Sequence, residues 1–171
     1  MGKTFFIADT HFGHKSIIDY ENRPFKNISD MDNILISNWN NTVSENDTVF
    51  LLGDLSAYSQ EETKKICNML NGHKFLIMGN HDTESEKYYY DCGFESVSKY
   101  PIIYENFWIL SHEPMYINVN MPYANIFGHV HSNPIYKDFS ERSYCVSAER
   151  IDYTPIDFQK IKEIIERENK K

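Results

Sequence analysis

Three cysteines in 171 residues, Cys67, Cys92 and Cys145, are odd in number and fall in no paired ligand spacing. That argues against a disulfide framework and suits free thiols in a reducing cytosol. Long apolar runs are missing as well. No stretch approaches the roughly 18 residues of a membrane span, and Phe5-Phe6-Ile7-Ala8 is too short for a signal-peptide core. A soluble, cytoplasmic protein with no membrane partner is expected. Basic residues are few: 17 Lys and Arg against 25 Asp and Glu leave a formal charge of -8 at pH 7. Affinity gained by gripping an extended nucleic-acid backbone is disfavoured, because it needs clustered cations to displace counterions. There is no repeat, linker or low-complexity segment either, and with 41% hydrophobic residues the expectation is one domain spanning residues 1–171.

What is there is a series of apolar runs separated by helical patterns. A strand is expected at 3–8, apolar almost throughout and therefore buried on both faces. Met31, Ile34, Leu35 and Trp39 recur at helical spacing behind a Ser29/Asp30 cap, and a second strand follows at 47–52. Ser59 with Glu62 makes a capping box for a helix carrying Ile66, Met69 and Leu70, with Gly72 as its stop. A third strand is expected at 74–78. This alternation implies α/β layering. In the second half, 102–104 and 107–110 read as a hairpin around Glu105-Asn106, followed by strands at 125–127 and 143–146. Thr154, Pro155 and Asp157 fit N-cap, N1 and N3 of a final helix whose Phe158, Ile161, Ile164 and Ile165 face inward.

Each strand-like run is followed by a short polar cluster: Asp9-Thr10-His11, Gly53-Asp54, Gly79-Asn80-His81-Asp82, Ser111-His112 and Gly128-His129-Val130-His131. Asp9 and His11, and likewise His129 and His131, are two residues apart, and in an extended backbone such residues point to the same side. Imidazole nitrogens with carboxylate oxygens suit Mn²⁺, Fe or Zn²⁺ better than Ca²⁺, which prefers an oxygen cage. Glycines 53, 79 and 128 allow sharp turns at the strand ends. One such cluster alone is ordinary packing or surface more often than a ligand pair. Five after successive apolar runs describe a metal site assembled from distant parts of the chain.

The order D-x-H, G-D, G-N-H-D, H, G-H-x-H resembles the calcineurin-like metallophosphoesterase superfamily. Asp9-Thr10-His11-Phe12-Gly13-His14, Asn22-Arg23-Pro24-Phe25 and Val146-Ser147-Ala148-Glu149 resemble a small bacterial and phage branch of it. The resemblance implies an α/β fold of two packed mixed β-sheets flanked by helices, a four-layer sandwich. It also implies a binuclear centre of divalent transition-metal ions, Mn²⁺ favoured and Fe, Zn²⁺ or Ni²⁺ as alternatives. Asp9, His11 and His131 would hold one ion, Asn80, His112 and His129 the other, with Asp54 bridging. A metal-bridging hydroxide would attack phosphorus while His81, held by Asp82, protonates the leaving oxygen; the bland alternative for His81 is a structural histidine behind the ligands.

His14 and Arg23 would contact substrate, Arg23 through bidentate contact with a phosphate oxygen, unless it is a surface arginine beside a turn-forming proline. Protein Ser/Thr phosphatases of the superfamily carry an Arg soon after G-D, whereas Leu55-Ser56-Ala57-Tyr58 follows here, so a phosphoprotein substrate is disfavoured. The expected activity is phosphodiester hydrolysis of a small or nucleotide-like ester. The alternatives are a phosphomonoesterase, a nuclease acting on short ends, or a catalytically silent metal-binding scaffold.

Overall fold

The computed structural model describes residues 2–118 and 120–170. The elements run β1 (Thr4–Ile7), α1 (Lys15–Tyr20), α2 (Ile28–Thr42), β2 (Thr48–Leu51), α3 (Gln60–Met69), β3 (His73–Ile77), α4 (Glu86–Asp91) and β4 (Ser96–Ser98). They continue with β5 (Ile102–Tyr104), β6 (Trp108–Leu110), β7 (Ala124–Phe127), β8 (Phe139–Ser140), β9 (Ser143–Cys145), β10 (Ile156–Asp157) and α5 (Phe158–Glu168). They form two five-stranded mixed sheets, ordered β10-β1-β2-β3-β4 and β5-β6-β7-β9-β8. β1 to β4 are parallel with β10 antiparallel at the edge. In the second sheet β6, β7 and β9 are parallel, flanked by antiparallel β5 and β8. The expected α/β architecture of two mixed sheets with helices is what the chain adopts.

Alternation along the strands of the first sheet separates two cores. Phe5, Ile7, Val49, Leu51 and Leu76 pack with Met31, Leu35 and Trp39 of α2 and Ile66 and Cys67 of α3. Phe6, Ala8, Phe50, Leu52 and Ile77 point the other way, into the second sheet's Trp108, Leu110, Ala124, Ile126, Tyr144 and Val146. Both faces are buried, which is why these strands read as unbroken apolar runs. α5 enters the same inter-sheet core, where the Phe158 ring meets Phe6, Tyr104 and Trp108.

Two helix starts differ from the sequence reading. α2 is capped by Asn27, whose Oδ1 accepts the Asp30 N–H at 3.0 Å, so Ser29 and Asp30 lie inside the first turn. α5 is capped by Asp157, because Ile156 and Asp157 pair with β1 as the edge strand β10 and hold the preceding Thr154 and Pro155 outside the helix. The Ser59–Glu62 box forms as expected, with Ser59 Oγ donating to Glu62 Oε2 at 2.9 Å. Among the described residues no helix is long and apolar enough to cross a membrane.

Parallel strands end on the same side, and that is what builds the site. The segments leaving β1, β2, β3, β6 and β7 carry the five polar clusters, and the two sheets bring them to one rim.

Candidate metal centre

One ligand atom from each of Asp9, His11, Asp54 and His131 lies within 4.8 Å of all the others. His11 Nε2 is 3.5 Å from Asp54 Oδ2, and His131 Nε2 is 3.9 Å from Asp9 Oδ1. A second set stands on the same carboxylate oxygen: His112 Nε2 is 3.5 Å from Asp54 Oδ2 and 2.9 Å from Asn80 Oδ1. His129 Nδ1 completes it, 2.9 Å from Asn80 Oδ1 and 3.1 Å from His112 Nε2. Asp54 Oδ1 is occupied by the His81 backbone N–H at 2.9 Å, which leaves Oδ2 between the two sets. All seven residues that the motif order nominates as ligands therefore converge.

The donors are arranged as a cation needs them. His112 Nδ1–H donates to the Leu52 carbonyl at 2.8 Å, and in that tautomer Nε2 turns a lone pair toward two further acceptors, Asn80 Oδ1 and Asp54 Oδ2. Opposed lone pairs repel unless positive charge sits among them. His11 Nε2 is buried without a hydrogen-bond partner. Burial, followed by the neighbouring His131 and Arg23, pushes its pKa down to about 2, so the ring stays in the neutral form that ligates a metal. Burial also pushes Asp9 up to about 6, against the pull of His131 and His112. That is the state of a carboxylate short of countercharge.

The backbone is as specialised as the side chains. Asp9, His11, Asp54, His129 and His131 all have positive φ, between 46° and 69°. Each such conformation costs about 1–2 kcal/mol in a residue with a Cβ. The D-x-H and H-x-H pairs are thus tight left-handed turns and not the extended pairs expected from their spacing. His129 and His131 consequently diverge to different donor sets. Hydrogen bonds hold the turns: the Asp9 carboxylate accepts the His129 N–H at 2.9 Å. Asp82 Oδ2 accepts from Asp54 N at 2.7 Å and Gly79 N at 2.8 Å, while its Oδ1 accepts from Leu55 N at 3.1 Å. A Cβ on Gly79 would lie 2.2 Å from Asp54 Oδ1, so only glycine lets this backbone pass.

Those bonds correct the expectation for Asp82. Both its oxygens are taken by backbone donors, so it shapes the Asp54 turn and does not hold the His81 ring. Arg23 also sits elsewhere than expected. It is 4% exposed, with Nε 2.8 Å and Nη2 2.6 Å from Glu149 Oε1. Nη1 donates to the Thr10 carbonyl at 3.0 Å and Nη2 to that of Asp9 at 2.6 Å. It lies under the first donor set, neither at the surface nor open to a phosphate.

Glu149 Oε1 also meets His131 Nδ1 at 3.0 Å. Although burial works against the charge, this bond and the charges of Asp9 and Glu149 raise the pKa of His131. Motif order marked Glu149 only as context; its position after β9, facing the His131 turn, is a tertiary fact. His14 is half-buried, its Nδ1 3.4 Å from His11 Nδ1, and burial foremost lowers its pKa. His81 is exposed, its ring makes no hydrogen bond to the protein among the described residues, and its centroid is 5.3 Å from that of His11.

Residues 2–167 match the family model described as calcineurin-like phosphoesterase. The chain belongs to that family. An uncharacterized protein of Methanocaldococcus jannaschii is 35% identical over 175 residues, covering 98% of this chain and 93% of that protein. The gene 66 protein of Mycobacterium phage L5 is 34% identical over 85 residues, 48% of this chain and 41% of the phage protein. Among solved structures, a protein of unknown function from Aquifex aeolicus superposes with TM-score 0.74 at 27% identity, covering 96% of this chain and 100% of that one. The Pseudomonas putida nuclease MPE shares the fold, with TM-score 0.51 at 19% identity over 75% of this chain and 60% of the nuclease. This calcineurin-like phosphoesterase is a metal-dependent phosphoester hydrolase, and the clustered Asp9, His11, Asp54 and His131 fit its divalent ions.

Proposed function

We propose that this protein is a phosphodiesterase acting on a small or nucleotide-like ester with two divalent ions, Mn²⁺ foremost, as the mixed nitrogen and oxygen donors favour. The observation that carries the two-ion part of this reading is Asp54 Oδ2, 3.5 Å from both His11 Nε2 and His112 Nε2. A pair of like cations needs one shared anion, and these two distances support Asp54 Oδ2 in that role. Asp9, His11 and His131 would hold one ion and Asn80, His112 and His129 the other. When bound, the ions make water a nucleophile at neutral pH and neutralise the phosphate's charge.

The protein's own groups do the rest. Asn80 would ligate through a neutral amide, so the seven donors include two carboxylates, Asp9 and Asp54, and the loaded centre would keep an excess of positive charge for an anionic substrate. His81, free at the rim beside His11, gives its proton to the leaving oxygen, a role typically worth 10²- to 10⁴-fold in rate.

The test is turnover of bis(p-nitrophenyl) phosphate and p-nitrophenyl phosphate by the Mn²⁺-loaded protein. The diester should be the better substrate, and toward a diester with an alkoxide leaving group, thymidylyl-(3′→5′)-thymidine, which needs a proton where p-nitrophenolate does not, His81→Ala should lower turnover by about 10²-fold or more at unchanged metal content. A preference for the monoester makes the protein a phosphomonoesterase instead, and full activity in His81→Ala removes the proposed acid.

A further inference from the structure

The two donor sets have unlike surroundings. His14 and His81 both flank His11, each with its ring centroid 5.3 Å away. Beside Asn80 and His112, by contrast, lies a cleft of about 410 Å³ that these two residues help to line. Its other walls include Met78, Pro101, Pro114 and Met115, with Lys99 and Glu113 as charged groups. Neither side chain of this charged pair has a hydrogen bond or ion pair among the described residues. Lys99 is exposed and is the one Lys or Arg among the residues that line this cleft.

We infer that this cleft holds the substituent that stays on phosphorus, and that this substituent is nucleoside-like: a flat ring with hydroxyls and, where present, a further phosphate. The inference rests on the phosphodiesterase reading and makes it specific. Hydrolysis forms one P–O bond from water and breaks the bond to the leaving oxygen, which takes its proton from His81. The leaving group therefore belongs on the His11 side, where His81 stands. The second ester bond of a diester stays intact, and its organic group needs room on the other side.

The cleft supplies that room in the size range of small-ligand pockets. Proline and methionine walls offer ring-sized apolar contact without demanding one hydrogen-bond pattern, so they accept different bases. Lys99 meets an additional phosphate and Glu113 accepts from a sugar hydroxyl.

Two diesters with the same leaving group separate the possibilities: thymidine 5′-(p-nitrophenyl phosphate) and methyl p-nitrophenyl phosphate, assayed with Mn²⁺-loaded protein. The thymidine ester should be favoured about tenfold or more in kcat/KM, chiefly through KM. Met115→Asp should bring that ratio toward one. Calorimetry supplies a readout independent of turnover: thymidine 3′,5′-bisphosphate should bind more tightly than the 5′-monophosphate, and Lys99→Glu should erase the difference. Hydrolysis of both diesters without preference, or a preference and a binding difference that neither variant moves, overturns the cleft assignment and leaves the phosphodiesterase reading standing. Hydrolysis of neither diester overturns the phosphodiesterase reading; in that case thymidine 5′-monophosphate binding that is weakened by Met115→Asp still supports the cleft.

Discussion

The donor set around Asp9 and the one around Asn80 share Asp54 and differ in almost everything else. Asp9 and His11 are 0% and 3% exposed, and their turn is held from below by Arg23, which also pairs with the Glu149 that orients His131. The other set has an exposed Asn80 and a half-buried His129, and only His112, tied to the Leu52 carbonyl, is deeply placed. An ion at the first set would therefore be enclosed by a charged scaffold, and one at the second would face the cleft and the solvent. The difference teaches that two donor sets meeting at one carboxylate need not be alike: one is locked into buried charge, the other is open to an incoming ligand.

Removing Arg23 should break this contrast most severely. Arg23→Met leaves the buried Glu149 carboxylate with His131 as its remaining partner, an effect of about 3 kcal/mol in stability, and it frees the Asp9 and Thr10 carbonyls. Chemical denaturation should show that loss together with loss of the first ion, and an unchanged midpoint would show that the guanidinium does not support the site. Glu149→Gln is milder. Metal titration should resolve two steps, with affinity at the first set lowered about 10- to 100-fold and the second left near its original value. Parallel weakening of both steps would mean that Glu149 acts on the fold as a whole.

Acid should sharpen the same contrast. Asp9 is pushed up to about 6 from 3.8 by burial, and His131 is raised despite its burial by Glu149 and Asp9, so protons compete for the first set as pH falls through about 6. His129 is lowered, by burial first and then by His112, so it stays deprotonated further into acid. For the metal-free protein, a raised carboxyl adds stability that is present below 3.8 and lost as pH rises through about 6. Bound metal reverses that loss. The rise in Tm on adding Mn²⁺ should therefore be larger at pH 7 than at pH 5, and an equal rise at both would exclude Asp9 as the competing group. The smallest effect is expected from Asn80→Asp. An added negative charge should tighten the second ion and weaken phosphate, seen as a higher KM for a diester and a higher Ki for inorganic phosphate.

Much of the site was legible because its chemistry needs particular side chains in a particular order. The seven expected ligands sit in five short clusters, and each follows an apolar run that became a strand. The roles of Asp82 and Arg23 were not legible. Asp82 acts on the Asp54 turn 28 residues away and Arg23 on Glu149 126 residues away, and neither distance leaves a local pattern. α1, β4 and α4, of six, three and six residues, are too short for periodicity to reveal. The caps of α2 and α5 were misplaced because Asn27 outcompetes Ser29 for the first turn, and because pairing with β1 draws Ile156 and Asp157 into a sheet.

Taken alone, apolar periodicity and donor identity, which are local properties of the chain, determined the α/β layering and a metal site of clustered donors, and the resemblance of the motif order to a known family implied the ligand set and the class of chemistry. Only the tertiary structure decided that the ligand pairs are left-handed turns, that Arg23 supports the site from below, and that a cleft opens beside Asn80 and His112. Those features depend on where two sheets place residues far apart in the chain, and no local run of side chains encodes that distance.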